Sequence, residues 1–147
     1  MILSEKLKDE AKTLNVLYVE DEHDTRVRVS KMFKLFFKEV FVASDGLEAI
    51  EIFKEEDIDL IMTDLTMPKM DGIEMIKMAK ELNFNQHVII LTAHNSSENL
   101  METIDLQVDG FLLKPLRMDK MLDLLYKVSH IINLEKNEKK LNGNNLS

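Results

Sequence analysis

The sequence contains no cysteine among its 147 residues. That absence excludes a disulfide framework, a thiolate zinc site and a thiol nucleophile. Long apolar runs are missing as well. No stretch approaches the roughly 18 residues needed to cross a bilayer, and Met1-Ile2-Leu3 gives way to charge too soon for a signal peptide. The chain therefore reads as cytoplasmic, with no membrane partner. Positive charge is in deficit: the formal net charge is -8, which argues against direct nucleic-acid binding, because phosphate contacts need clustered Lys and Arg. What is present is an ordinary globular composition, 45% hydrophobic and 31% charged. At this length it makes one domain with a real core.

Periodicity then divides the chain. In residues 1–13, Leu3, Leu7 and Ala11 recur every four positions, so this extension is compatible with a short amphipathic helix. Apolar runs at Asn15–Val19, Val40–Ala43, Leu60–Met62, His87–Thr92 and Phe111–Leu113 read as strands. Helical stripes alternate with them. Val29, Met32, Phe33 and Phe36 form the first, with Arg26, Arg28, Lys31, Lys34 and Lys38 as its polar remainder. Asp45 with Glu48, Asp71 with Glu74 and Asn95 with Glu98 mark the starts of the next three helices. Met118, Leu122, Leu125, Val128 and Ile132 trace a long last one.

Strands joined by helical crossovers must run parallel and be covered on both faces. The expected fold is α/β, a five-stranded parallel sheet, doubly wound and flavodoxin-like, with strand order 2-1-3-4-5. The domain occupies residues 14–132. Residues 133–147, NLEKNEKKLNGNNLS, are polar and are expected to fray into a disordered tail or linker.

In a parallel sheet all strand carboxyl ends lie on one edge, where open α/β folds place ligands. Strand one delivers Glu20 and Asp21 there, strand three Asp64, strand four Thr92 and strand five Lys114. Three acids at one edge repel each other unless a hard cation joins them, and oxygen ligands of this kind suit Mg²⁺. A cation beside a carboxylate prepares for a phosphoryl group, for which carboxylates are known nucleophiles. Lys114 and the Thr92 hydroxyl complete a cage around phosphoryl oxygens.

The set VEDE, DLTMPKMDG, LTA and GFLLKP, in this order and on these strands, resembles the response-regulator receiver (CheY-like) domains of bacterial two-component signalling. The resemblance implies that Asp64 accepts phosphate from a histidine kinase, a phosphotransfer protein or a small phosphodonor. It assigns Mg²⁺ (or Mn²⁺) to Glu20, Asp21, Asp64 and the Thr66 backbone carbonyl. Lys114 would contact the phosphoryl group, and Lys114-Pro115 would carry a cis peptide. Thr92 matches the switch hydroxyl, and Phe111 the aromatic position that turns inward with it. The output would pass to a partner, or to a second copy, through the face formed by the helix after strand four, strand five and the last helix. Glu20 stands where many relatives have Asp, Phe111 lacks the hydroxyl of the tyrosine often found there, and Thr66 and His94 occupy positions that influence phosphoryl lifetime.

Other readings compete. Taken singly, Thr92 is a strand-end residue, Lys114 a solvated lysine before a turn, and Phe111 core packing. Glu20-Asp21-Glu22 is equally a solvated loop before a helix. Met67, Met70, Met75 and Met78 read as gap-fillers, the four histidines are too scattered for a metal cluster, and the basic residues from Arg26 to Lys38 read as a polar face or a kinase contact. A nucleotide-binding fold needs a Gly- or Ser/Thr-rich loop after strand one, where this chain has Glu-Asp-Glu-His-Asp. A turnover enzyme would want a second acid near Asp64, at the place Thr66 holds. A switch that phosphorylates itself and slowly loses its phosphoryl group is therefore expected rather than an enzyme; the alternative is a phosphorylation-independent interaction module.

Overall fold

Successive side chains of a strand point to opposite faces, so a sheet covered on both sides needs apolar residues at nearly every position. The central strands obey this. The computed structural model describes residues 2–65, 67, 69–93 and 105–145. Thr66, His94 and the helix expected from Asn95 lie outside them. Strands β1 (Asn15–Val19), β2 (Glu39–Ala43), β3 (Leu60–Asp64), β4 (His87–Thr92) and β5 (Gly110–Leu113) pair in parallel in the order β2-β1-β3-β4-β5. The doubly wound, flavodoxin-like sheet is thus present. The described helices are α1 (Leu3–Ala11), α2 (His23–Phe33), α3 (Gly46–Glu55), α4 (Gly72–Leu82) and α5 (Met118–Asn145).

The period of two sorts the core into two halves. Val16, Tyr18, Leu60, Met62, Ile89 and Leu91 pack with residues of α1, α2 and α5. Leu17, Val19, Ile61, Val88 and Ile90 pack with Ala49 and Ile50 of α3 and Ile73, Ile76 and Ala79 of α4. Each fully buried aliphatic side chain contributes about 1.5–3 kcal/mol, so these two layers fix the register that brings the strand ends together.

Local signals place the loops. The Asp45 carboxylate accepts the Glu48 amide at 2.9 Å, and the Glu48 carboxylate returns to the Ser44 amide at 3.3 Å. Asp71 accepts the Glu74 amide at 2.9 Å. Both are N-caps that satisfy donors a helix start would otherwise leave unpaired.

The two ends of the chain meet. Leu7 and Ala11 of α1 are fully buried with Val128 and Ile132 of α5 in the first core half. The expectation that regular structure ends near Asn133 needs correction, because α5 continues as one helix to Asn145. Polar contacts from distant segments hold down its residues 133–136. Asn133 donates to the Glu10 carbonyl and carboxylate, both at 2.7 Å. Glu135 pairs with His87 at 2.7 Å, and Lys136 with Asp59 at 2.7 Å.

Candidate functional site: an acidic cluster bridged by a lysine

The acidic loop begins where β1 ends. The Glu20 amide donates to the Ala43 carbonyl at 3.0 Å, which extends the sheet by one more bond. Its side chain is buried at 2% exposure; Asp21 beside it is exposed. Glu22 then caps α2 by accepting the Thr25 amide at 3.2 Å, so the third acid of the run serves the helix. Asp64 closes β3 with a side chain 15% exposed.

Gly72 explains how the chain leaves Asp64. Its amide donates to the Leu65 carbonyl at 2.8 Å. A Cβ at this position would collide with the Asp64 carbonyl oxygen and stand 2.8 Å from the Leu65 Cα. Only glycine lets α4 begin this close to the strand end.

Lys114 reaches the same place from β5. Its amide donates to the Thr92 carbonyl at 2.8 Å, and the Lys114-Pro115 peptide is cis. The ammonium donates to Glu20 Oε1 and to Asp64 Oδ2, each at 2.7 Å. Burial works against the Lys114 charge, but its bonds to Asp64 and Glu20 outweigh it and raise its pKa. Burial raises the Glu20 pKa, and the bonds from Lys114 and the Glu22 amide offset this only in part. Burial thus opposes both charges, and the short bonds between the ammonium and the two carboxylates oppose burial.

One carboxylate oxygen each from Glu20, Asp21 and Asp64 lies within 4.8 Å of the others. This donor set is all oxygen and anionic, which fits a hard divalent cation. Thr92 is buried, and its hydroxyl donates to the Ala93 carbonyl at 3.1 Å. Phe111 is half-buried against the α3 and α4 side of the core. The fold thus brings Glu20, Asp21, Asp64 and Lys114 together and seats Thr92 at the next strand end; Thr66 is outside the described residues.

Two participants escape a reading by pattern. Arg26 belongs to a helix face that reads as solvated, yet its Nη1 donates to the Glu20 carbonyl at 2.9 Å and the Asp21 carbonyl at 3.3 Å. Its place one turn into α2, on the side of the acidic loop, is the only sequence signal. Tyr18 reads simply as a strand former. It is buried beside the site, with no partner for its hydroxyl among the described residues. Burial and the Glu20 and Asp64 carboxylates push its pKa upward, so it remains a neutral phenol. Among the described histidines, His87 and His130 pair with carboxylates elsewhere and His23 contacts Arg26. None belongs to the acidic cluster. No described helix is long and apolar enough to cross a membrane.

Comparison with known proteins agrees with this geometry. Residues 16–126 match the family model described as the response regulator receiver domain. Sporulation initiation phosphotransferase F of Bacillus subtilis is 32% identical over 112 residues, covering 76% of this chain and 90% of that protein. Among solved structures, the N-terminal domain of an uncharacterized Wolinella succinogenes protein superposes with a TM-score of 0.78 at 34% identity, covering 84% of this chain and 99% of that one. A Borrelia burgdorferi CheX-CheY complex with BeF3 and Mg²⁺ gives a TM-score of 0.71 at 31% identity, over 78% of this chain and 88% of that one. With its five parallel strands and its acidic edge, the chain belongs to the response regulator receiver domain family.

Proposed function

We propose that this domain is a phosphorylation-driven switch in a two-component phosphorelay, with Asp64 as phosphoacceptor. The observation that carries the reading is the Lys114 ammonium bound at 2.7 Å to both Asp64 and Glu20, inside a cluster completed by Asp21. An Asp64 carboxylate oxygen attacks the phosphorus of a phosphohistidine on a kinase or phosphotransfer protein. The new O–P bond forms as the P–N bond breaks, and the histidine nitrogen leaves with the electron pair. Glu20, Asp21, Asp64 and the Thr66 carbonyl would hold Mg²⁺ (or Mn²⁺), which neutralises charge on the phosphoryl oxygens.

Lys114 then exchanges its carboxylate contacts for a phosphoryl oxygen, and the Thr92 hydroxyl turns toward the same group. A change of population needs contacts that differ between two states, and these two side chains supply them. Phe111 follows Thr92 and alters the face around β5 and the start of α5, where a partner or a second copy binds. One phosphoryl group is held per domain, with slow self-dephosphorylation and no external substrate turned over. The setting proposed is the cytoplasm, as for receiver domains generally.

The test is incubation with Mg²⁺ and acetyl phosphate. Intact mass should rise by one phosphoryl group in the native protein, and not in Asp64→Asn or after chelation. A folded native protein that takes no label under these conditions sinks the proposal.

A further inference from the structure

The basic residues of α2 do not share one environment. Arg28 and Lys31 are exposed, as is Lys34 just past the end of the helix, whereas Arg26 is half-buried and turned toward the loop before the helix. Its Nη1 reaches the carbonyl oxygens of Glu20 and Asp21 at 2.9 and 3.3 Å, and its Nη2 lies 3.1 Å from His23 Nδ1. The Glu20 carbonyl belongs to the peptide plane before Asp21, and the Asp21 carbonyl to the plane after it. Because peptide units are planar, the orientations of these two planes set both soft dihedrals of Asp21. The guanidinium is a rigid fork whose donors share one geometry. A single side chain therefore restrains the backbone of the exposed acid in the cluster.

We infer that Arg26 is a positioning residue for divalent-cation binding: by holding the two peptide planes that flank Asp21, it keeps the Asp21 carboxylate together with those of Glu20 and Asp64. This rests on the Mg²⁺-dependent reading above. Glu20 has other restraints, since it is buried, bound to Lys114 and within 3.3 Å of the Glu22 amide. For exposed Asp21, the backbone is the restraint that Arg26 supplies.

Electrostatics and positioning predict opposite signs. A guanidinium this close to the cluster repels a cation, so on charge alone its removal tightens Mg²⁺ binding. If Arg26 positions Asp21, removal weakens it. Isothermal titration of the full chain with Mg²⁺, for the native protein, Arg26→Ala, Arg26→Gln and Arg26→Lys, separates the two. The dissociation constant should rise on the order of tenfold in Arg26→Ala and Arg26→Gln, the loss expected for hydrogen bonds from a charged donor. Arg26→Lys, which keeps one donor in reach, should recover part of it. Equal or tighter Mg²⁺ binding in the Ala and Gln variants, with circular dichroism and urea midpoint unchanged, overturns the inference.

Amide exchange in metal-free protein gives a second readout. The Glu22 amide is 3.3 Å from the Glu20 carboxylate, and releasing the loop should speed its exchange by roughly tenfold. If the native protein itself binds no Mg²⁺, the phosphorelay reading fails, and the exchange rate alone decides whether Arg26 holds the loop. An unchanged Glu22 rate in Arg26→Ala would then refute that hold.

Discussion

Lys114 Nζ lies 2.7 Å from Asp64 Oδ2 although the two residues are 50 positions apart in sequence. The same ammonium is 2.7 Å from Glu20 Oε1. In this state the Lys114 charge sits on two of the three carboxylates of the acidic cluster, where it would compete with a divalent cation. Lys114→Ala should therefore bind Mg²⁺ severalfold more tightly at pH 8, a change of about 1 kcal/mol, as expected for a partly exposed ion pair. Calorimetric titration checks this. Weaker binding would mean that Lys114 orders the carboxylates instead of competing for them.

Gly72→Ala should destabilise the fold by about 1–3 kcal/mol, the usual effect of forcing an extra carbon into packed space. The added Cβ meets the Asp64 carbonyl oxygen and the Leu65 Cα, so relief must shift the backbone of Asp64 itself. A lower urea midpoint is expected. An unchanged midpoint would show that α4 can move aside freely.

The amino-terminal helix belongs to the core. Leu7 is fully buried against α5, and Leu7→Ala should cost about 2–4 kcal/mol through lost burial and a residual cavity. Chemical denaturation measures this. A change well below 1 kcal/mol would reduce α1 to a loosely attached extension.

The carboxyl-terminal helix should respond to alkaline pH through His87. Nδ1 faces Asp109 at 2.9 Å and Nε2 faces Glu135 at 2.7 Å, with Lys80 also near Asp109 and the Lys136–Asp59 pair on the same part of α5. The bond with Asp109 is the largest influence; burial opposes it, Glu135 adds to it, and the pKa rises from 6.5 to about 9. Because the folded pKa is the higher one, the contribution is complete below the unfolded value and is lost as pH rises through 9. His87→Ala should thus lose about 1–2 kcal/mol at pH 7 and almost nothing relative to the native protein at pH 10. Urea titrations at both pH values decide it. A difference independent of pH would assign the loss to packing.

Much of this architecture is legible in the sequence because it depends on local chemistry. Asp45 with Glu48 and Asp71 with Glu74 announce helix starts, and the caps form. Apolar runs ending at Glu20, Asp64 and Lys114 announce strands whose ends share one edge, and those side chains meet. What escapes is set by contacts between distant segments. Nothing local in NLEKNEKKLNGNNLS signals a docked helix; the partners of Asn133, Glu135 and Lys136 are Glu10, His87 and Asp59. Arg26 escapes for a related reason, since a cation on a polar helix face looks the same whether it meets water or a carbonyl.

The central claim is that Asp64 carries the phosphoryl group. Its most direct test is to label the protein with acetyl phosphate and Mg²⁺, reduce the acyl phosphate with borohydride, and locate the product by peptide mass spectrometry. The account predicts conversion of Asp64 to homoserine, with Glu20 and Asp21 unchanged. Conversion at either of those acids, or at no carboxylate in a folded and labelled protein, would contradict it.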